Sequence, residues 1–311
     1  MLAILAIIAP VFLIIGIGYA LTKQGFIQGD VLPVLSKLVL FVLIPALNFG
    51  TIANMKIEDV LVWDFLGVYA LAAIGAQIVG LVLFRGWLRN SLPETGMKLL
   101  GSSMPNSIFI GYPVVVQAFG PEWGHTFAFA VMIETTVILP LALIIAESGG
   151  QGHSVSIIRV LKGIVERVSK NPVIISLILG LVVSGLGIAL PDFLTRTLSV
   201  LGSAAPAIAL LIIGGSLVGI QMRGNLRDIS LIATIKLALQ PLFVALLLIV
   251  WRDFDPVLET LVVLYAALPP AAIFPIIGSQ YGMRAFCSSS LAVSTVSSFF
   301  TLTLVLALLI G

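Results

Sequence analysis

Cysteine is almost missing from this chain. The single Cys287 among 311 residues excludes an intramolecular disulfide framework and any multi-cysteine metal site. Histidine is nearly as scarce. Neither His125 nor His153 belongs to an H-E-x-x-H metal motif, so the groups an intramembrane hydrolase would need are lacking, and neither enzyme activity nor a cofactor is expected. Charge is the third shortage: only 10% of residues are Asp, Glu, Lys or Arg, against about 25% in an ordinary soluble domain. With a net charge of +2 and no basic run to track a phosphate backbone, a nucleic-acid partner is excluded. The apolar N-terminal stretch lacks the basic n-region of a cleavable signal and is long enough to span a membrane.

What fills the chain is apolar. Hydrophobic residues make up 59% of it, and the mean hydropathy is +1.19. A water-soluble fold cannot bury that much apolar surface, because part of any compact chain stays exposed. The solvent must be lipid. Apolar runs of about 20 residues cross a hydrocarbon core, and ten are legible, at 3–22, 31–50, 62–84, 97–119, 125–146, 171–190, 198–219, 229–250, 257–281 and 285–309. The fold class expected is therefore an all-α polytopic membrane protein. Lys and Arg bias orients it. Lys23, Arg85, Arg89, Lys98, Arg159, Lys162, Arg167, Lys170, Arg223, Arg227 and Arg284 fall on one side, and only Lys56, Arg196 and Arg252 on the other. The first set is read as cytoplasmic, which puts both termini outside.

The longest loop, 147–170, opens with a flexible joint, Glu147-Ser-Gly-Gly-Gln-Gly152. Beyond it, Arg159, Lys162, Glu166, Arg167 and Lys170 share one helical face, and Ile157, Val160, Leu161, Ile164, Val165 and Val168 fill the other. That pattern predicts an amphipathic helix on the inner leaflet with its basic side toward anionic headgroups. A solvated linker helix is the plainer alternative.

A self-match runs through the chain at a shift of 161 to 162 residues. Pro10-Val11 recurs as Pro172-Val173; Gly18, Gly25 and Asp30 recur as Gly180, Gly187 and Asp192; Pro45-Ala46 recurs as Pro206-Ala207; Pro113 with Phe119-Gly120 recurs as Pro275 with Tyr281-Gly282. Each half, 1–150 and 151–311, holds five of the ten runs. An odd number per copy inverts the second copy in the membrane, the architecture of carriers that open alternately to either face around a central site.

The fourth and ninth runs carry prolines in mid-membrane: Ser102-Ser103-Met-Pro105-Asn106-Ser107 through Gly111-Tyr-Pro113, and Pro269-Pro270-Ala-Ala-Ile-Phe274-Pro275. Proline removes a backbone hydrogen bond and clashes with the preceding turn. Breaks at that depth survive where protein, a cavity or a ligand satisfies the freed groups. Converging half-helix N-termini favour an anion, and unwound carbonyls favour a cation. Ser103, Pro105, Asn106, Ser107, Gly111, Pro113, Pro269, Pro270, Phe274 and Pro275, with Asn48, are the candidate substrate residues; Pro-kinked packing helices are the alternative. Glu134 is the only acid in the middle of a run. Ionised, it would cost roughly 3 kcal/mol there, so it must be paired, solvated or protonated. Glu134, Thr135 and Gln77, with Thr295 and Ser298 at the repeat-related position, are the candidate ion-coupling residues, for H+ or Na+. Asn48, Gln77 and Gln240 read more readily as packing contacts than as ligands, and Lys37 and Lys236 as snorkelling side chains near the boundary.

These landmarks resemble the auxin efflux carrier family, which includes the plant PIN-FORMED proteins and bacterial malate and malonate permeases. The likeness rests on Pro10, Gly18-Tyr19, Leu35-Ser-Lys37 and Pro45-Ala46-Leu47; on Asn106, Gly111, Pro113 and Phe119-Gly120; on Asn171-Pro172, Gly180, Pro191 and Ala205-Pro206 through Gly214-Gly215-Ser216-Leu217; and on Lys236, Gln240-Pro241, Ser294-Thr295 and Ser297-Ser298. It implies an inverted-repeat fold shared with bile-acid sodium symporters, with runs 1, 2, 6 and 7 as a dimerising scaffold and the rest as a mobile transport unit. It also implies elevator-type transport, in a cell membrane, of a small carboxylate such as malate, malonate or an auxin-like acid. A sodium-coupled symporter of amphipathic organic anions and a non-transporting receptor are the alternatives. One departure is that no Asn accompanies the prolines of the second break.

Overall fold

The computed structural model describes residues 2–55, 62–148, 157–220, 224–251 and 254–309; most of the Gly-rich joint before Gly152 lies outside them. Among the described residues every regular element is helical. In chain order they are α1 (Leu2–Lys23), α2 (Val31–Ile52), α3 (Trp63–Trp87), α4 (Leu92–Ser103), α5 (Ser107–Phe119), α6 (Pro121–Glu147), α7 (Ile157–Lys170), α8 (Pro172–Gly185), α9 (Asp192–Ser216), α10 (Leu226–Val250), α11 (Pro256–Ala266), α12 (Phe274–Ser279) and α13 (Arg284–Leu309).

Seven of these, α1, α2, α3, α6, α9, α10 and α13, are long and apolar enough to cross a membrane. The sixth apolar run is shorter than expected: α8 holds 14 residues and meets α7 at a bend of 70°. The fourth and ninth runs are each two helices rather than one. Leu13, Phe193, Ile249 and Leu308 stand more than half exposed on the outside of the bundle, as side chains facing lipid do.

Local chemistry sets the ends and the irregular turns. Ser91 and Glu94 form a reciprocal capping box at the start of α4. Asn171, Asn225 and Asp255 accept backbone N–H groups at the starts of α8, α10 and α11. Five described segments widen to π geometry: Val82–Trp87 at the end of α3, and four that precede a proline, Val39–Leu43, Ser107–Gly111, Glu134–Ile138 and Ile235–Leu239. Each of these four is centred on the residue four before a proline (Pro45, Pro113, Pro140 and Pro241), where the pyrrolidine ring would strike the carbonyl of a regular α-turn. The wider turn removes that clash, and such turns gather at functional sites. Asn106, Ser107, Glu134 and Lys236 all lie in or beside them.

Glycine sets the closest approaches. A Cβ on Gly18 of α1 would lie 2.3 Å from the Leu211 carbonyl oxygen of α9, and one on Gly214 of α9 would lie 1.9 Å from the Ile15 oxygen of α1. Gly180 of α8 approaches Ile52 of α2 in the same way, at 2.9 Å. Small residues let membrane helices pack backbone to backbone. Gly18 and Gly180 are repeat-matched, and both use their missing side chain to receive a helix of the opposite half.

A second set of contacts joins α3, α4, α6, α10 and α11. Within it, Lys98 of α4 donates to Asp228 of α10 at 2.6 Å, with the Phe84 and Phe286 rings 5.8 and 5.6 Å from the ammonium. Lys98 is therefore a buried structural cation rather than one of the loop charges with which it was counted. Taking both charges out of water is costly, and removing either partner would leave the other buried and unpaired.

Candidate functional site

The breaks between α4 and α5 and between α11 and α12 cross. Pro105 and Pro270 face each other as an isolated antiparallel bridge. The Asn106 N–H donates to the Pro269 carbonyl at 2.8 Å, and the Ala271 N–H donates to the Met104 carbonyl at 3.0 Å. Each break thus supplies the partners the other has lost, which is how extended backbone persists where water is excluded. Pro269, with no N–H of its own, accepts through its carbonyl.

One helix caps both halves. On α10, one turn apart, Gln240 Nε2 donates to the carbonyl of Ser103, the last residue of α4, at 3.2 Å. Lys236 Nζ donates at 2.5 Å to the carbonyl of Ala266, the last residue of α11. Terminal carbonyls lack intrahelical partners and carry the negative end of the helix dipole, so an amide and an ammonium suit them. Lys236 is completely buried. Snorkelling to the boundary is thereby overturned for this residue: the lysine turns inward because a broken helix presents it with an acceptor. Lys37 is exposed, as snorkelling requires.

Next to the crossing, a cavity of about 490 Å³ is lined by Pro105, Asn106 and Ser107 from the first break, Ala271 to Ile273 from the second, and Glu134 and Thr135 from α6. Its far end reaches Arg167, Lys170 and Asn171 at the α7–α8 bend and Gln280 beyond α12. Ser107 Oγ donates to Glu134 Oε1 at 2.5 Å, and the Lys236 charge acts on the same buried carboxylate. Asn106 Oδ1 accepts the Phe109 N–H at the start of α5. Its Nδ2 is buried without a hydrogen-bond partner, beside a helix N-terminus that itself favours negative charge. A buried amide donor left unused costs on the order of 1–3 kcal/mol, which an acceptor placed in the cavity would recover.

Of the residues expected at the site, Pro105, Asn106, Ser107, Glu134 and Thr135 come together on the cavity wall. Pro269 and Pro270 form the crossing behind it. Phe274 is buried against Gly101, where a Cβ would lie 2.5 Å from the ring, and Pro275 begins α12. Gly111 sits under Leu268 and Tyr265, and Pro113 is buried within α5; both pack the crossing without lining the cavity. Ser103 and Gln77 are bonded to each other at 3.0 Å, with Gln77 also donating to the Ile138 carbonyl at 2.9 Å. Asn48 lies apart, donating to the Val173 carbonyl and Ser176 Oγ at 3.1 Å each and so joining α2 to α8. Thr295 and Ser298 are buried on α13, outside the cavity wall. Sequence reasoning missed Lys236 and the rim pair Arg167 and Lys170. For Lys236 the available signal was Pro241 five residues on, which forces the widened turn that carries it.

Long apolar helices, two broken helices stabilised by each other and a cavity at their crossing describe a polytopic membrane protein. The sequence pattern of the family described as "Membrane transport protein" matches residues 3–306. The chain belongs to that family, that of the auxin efflux carriers its landmarks resemble, and is a transporter rather than an enzyme. It is similar over 307 residues, at 26% identity, to a Rhizobium meliloti (strain 1021) protein named "Putative malonate transporter", covering 97% of this chain and 95% of the relative. An "Uncharacterized transporter" of Methanothermobacter thermautotrophicus is 24% identical over 303 residues, covering 96% and 95%.

Proposed function

We propose that this protein carries a small carboxylate across a cell membrane by alternating access, the anion docking at the crossing of the two broken helices. The observation that carries the reading is Asn106. Its buried amide nitrogen lacks a partner on the cavity wall at the N-terminus of α5, the one place in the cavity where an unused donor and a favourable dipole coincide. Glu134 supplies the coupling. An ionised Glu134 beside a bound carboxylate would put two negative charges in one dry cavity, so anion binding favours the protonated acid. One proton moving with a monocarboxylate leaves the site's charge unchanged, and a dicarboxylate needs two protons for the same balance. The relative named for malonate makes that dianion the first substrate to try, with malate and an auxin-like acid beside it.

Ten spans in two inverted halves suit this mechanism. The repeat-matched Gly18 and Gly180 support the symmetry, and α1, α2, α8 and α9 would form a scaffold, and a homodimer interface, against which the crossing moves. The Lys and Arg bias would place α7 in the cytoplasm and both termini outside. Sodium is the second coupling reading. Ser290 and Ser294 Oγ, Thr295 Oγ1 and Gln240 Oε1 are buried oxygens without hydrogen-bond partners, the hard ligands a small cation takes.

Uptake of labelled malonate, malate and indole-3-acetate into proteoliposomes tests the proposal. Saturable uptake of at least one acid is expected, with Asn106→Ala raising KM about tenfold, the equivalent of one charge-assisted hydrogen bond of roughly 1.4 kcal/mol. An absence of saturable uptake for every acid, from folded protein under both pH and Na+ gradients, would refute the carboxylate reading.

A further inference from the structure

α7 was expected to turn its basic side to lipid headgroups. Val165, exposed, and the half-buried Ile164 and Val168 join Ile175, Ile178 and Leu179 of α8 around an open apolar groove of about 530 Å³. Arg167 and Lys170, on the other side of the helix, line the far end of the central cavity. The helix therefore stands between lipid and the cavity mouth, held there by the 70° bend into α8.

We infer that Arg167 and Lys170 form an anion-collecting rim at the mouth of the transport cavity, a subsite that carboxylates occupy before they reach Asn106; the inference rests on the proposed carboxylate transport. Among the described residues that line the cavity these two are the only cations, and Glu134, buried, is the only acid. Two carboxylates temper the rim. Glu166 holds Lys170 at 2.6 Å, and Glu147 ends α6; neither lines the cavity. Asn171 at the bend holds Thr135 at 3.5 Å, which connects the rim to the wall beside Glu134.

A mouth lined by one sign of charge, between low-dielectric walls, focuses the field and raises the local concentration of the opposite ion, in a manner salt suppresses. Such a rim acts on capture and not on the later opening of the site. It therefore predicts a KM effect without a kcat effect, confined to uptake from the α7 side.

The test is malonate uptake by oriented proteoliposomes at low and high ionic strength. Arg167→Gln with Lys170→Gln is expected to raise KM about fivefold at low salt, leave kcat unchanged and flatten the salt dependence. Arg167→Lys should restore most of the affinity, and Glu166→Gln, which removes a competing carboxylate, should lower KM. All these side chains are exposed, so the variants should fold. Saturable wild-type uptake with KM and salt slope unchanged in the double variant overturns the rim alone. No anion uptake by the wild type overturns the underlying transport reading and the rim with it.

Discussion

Replacing Glu134 by Gln should leave a protein that still binds and exchanges its anion but no longer accumulates it. Gln keeps the shape, and its amide can still meet Ser107, which donates to the native carboxylate. What it lacks is the ability to exchange a proton or to ligate a cation as an anion. If one proton accompanies each anion, a gradient of one pH unit supports roughly tenfold accumulation, because that unit is worth about 1.36 kcal/mol. The variant should equilibrate its substrate instead, with counterflow intact and the response to the gradient gone. Running pH and Na+ gradients separately identifies the coupling ion by which response disappears. Accumulation by Glu134→Gln equal to that of the wild type would remove Glu134 from coupling.

Lys236→Met should be the most damaging single substitution for stability. It strips the Ala266 carbonyl of its cap and leaves Glu134 without the cation whose charge acts on it. A buried carbonyl that loses its donor costs on the order of 1–3 kcal/mol. Because the two side chains are coupled, adding Glu134→Gln to Lys236→Met should recover part of that loss, a departure from additivity that a double-mutant cycle isolates. Thermal unfolding of the four proteins in detergent measures it. Strict additivity would mean that Lys236 acts only on the α11 terminus.

Much of this site was legible before any coordinates. Hydropathy placed the helices, because lipid leaves no other way to satisfy a spanning backbone. Mid-membrane prolines located both breaks, since proline cannot continue a regular turn. Pro105 and Pro270 nonetheless gave no sign that they would pair: a bridge between residues so far apart in sequence depends on how two helices cross, which no local pattern encodes. Lys236 was misread for a related reason. Its distance from the end of an apolar run says snorkelling, while its fate was decided by the terminus of α11, thirty residues on. For α7, periodicity separated the apolar and basic faces but could not show that Arg167 and Lys170 would line the cavity. Asn48 and Gln77 make the helix contacts that their packing reading expected, since polarity within a span marks helix packing as readily as a ligand site.

The central claim is that the crossing is a substrate site opening alternately to the two sides of the membrane. Side-selective thiol labelling of Ile273→Cys tests it most directly. Ile273 lines the cavity and is 45% exposed, whereas the native Cys287 is buried and should stay silent. A membrane-impermeant reagent added from the α7 side should label the new thiol, and malonate should slow that labelling while a fraction becomes reactive from the opposite side. Labelling from one side only, at a rate that no transported anion changes, would contradict the account.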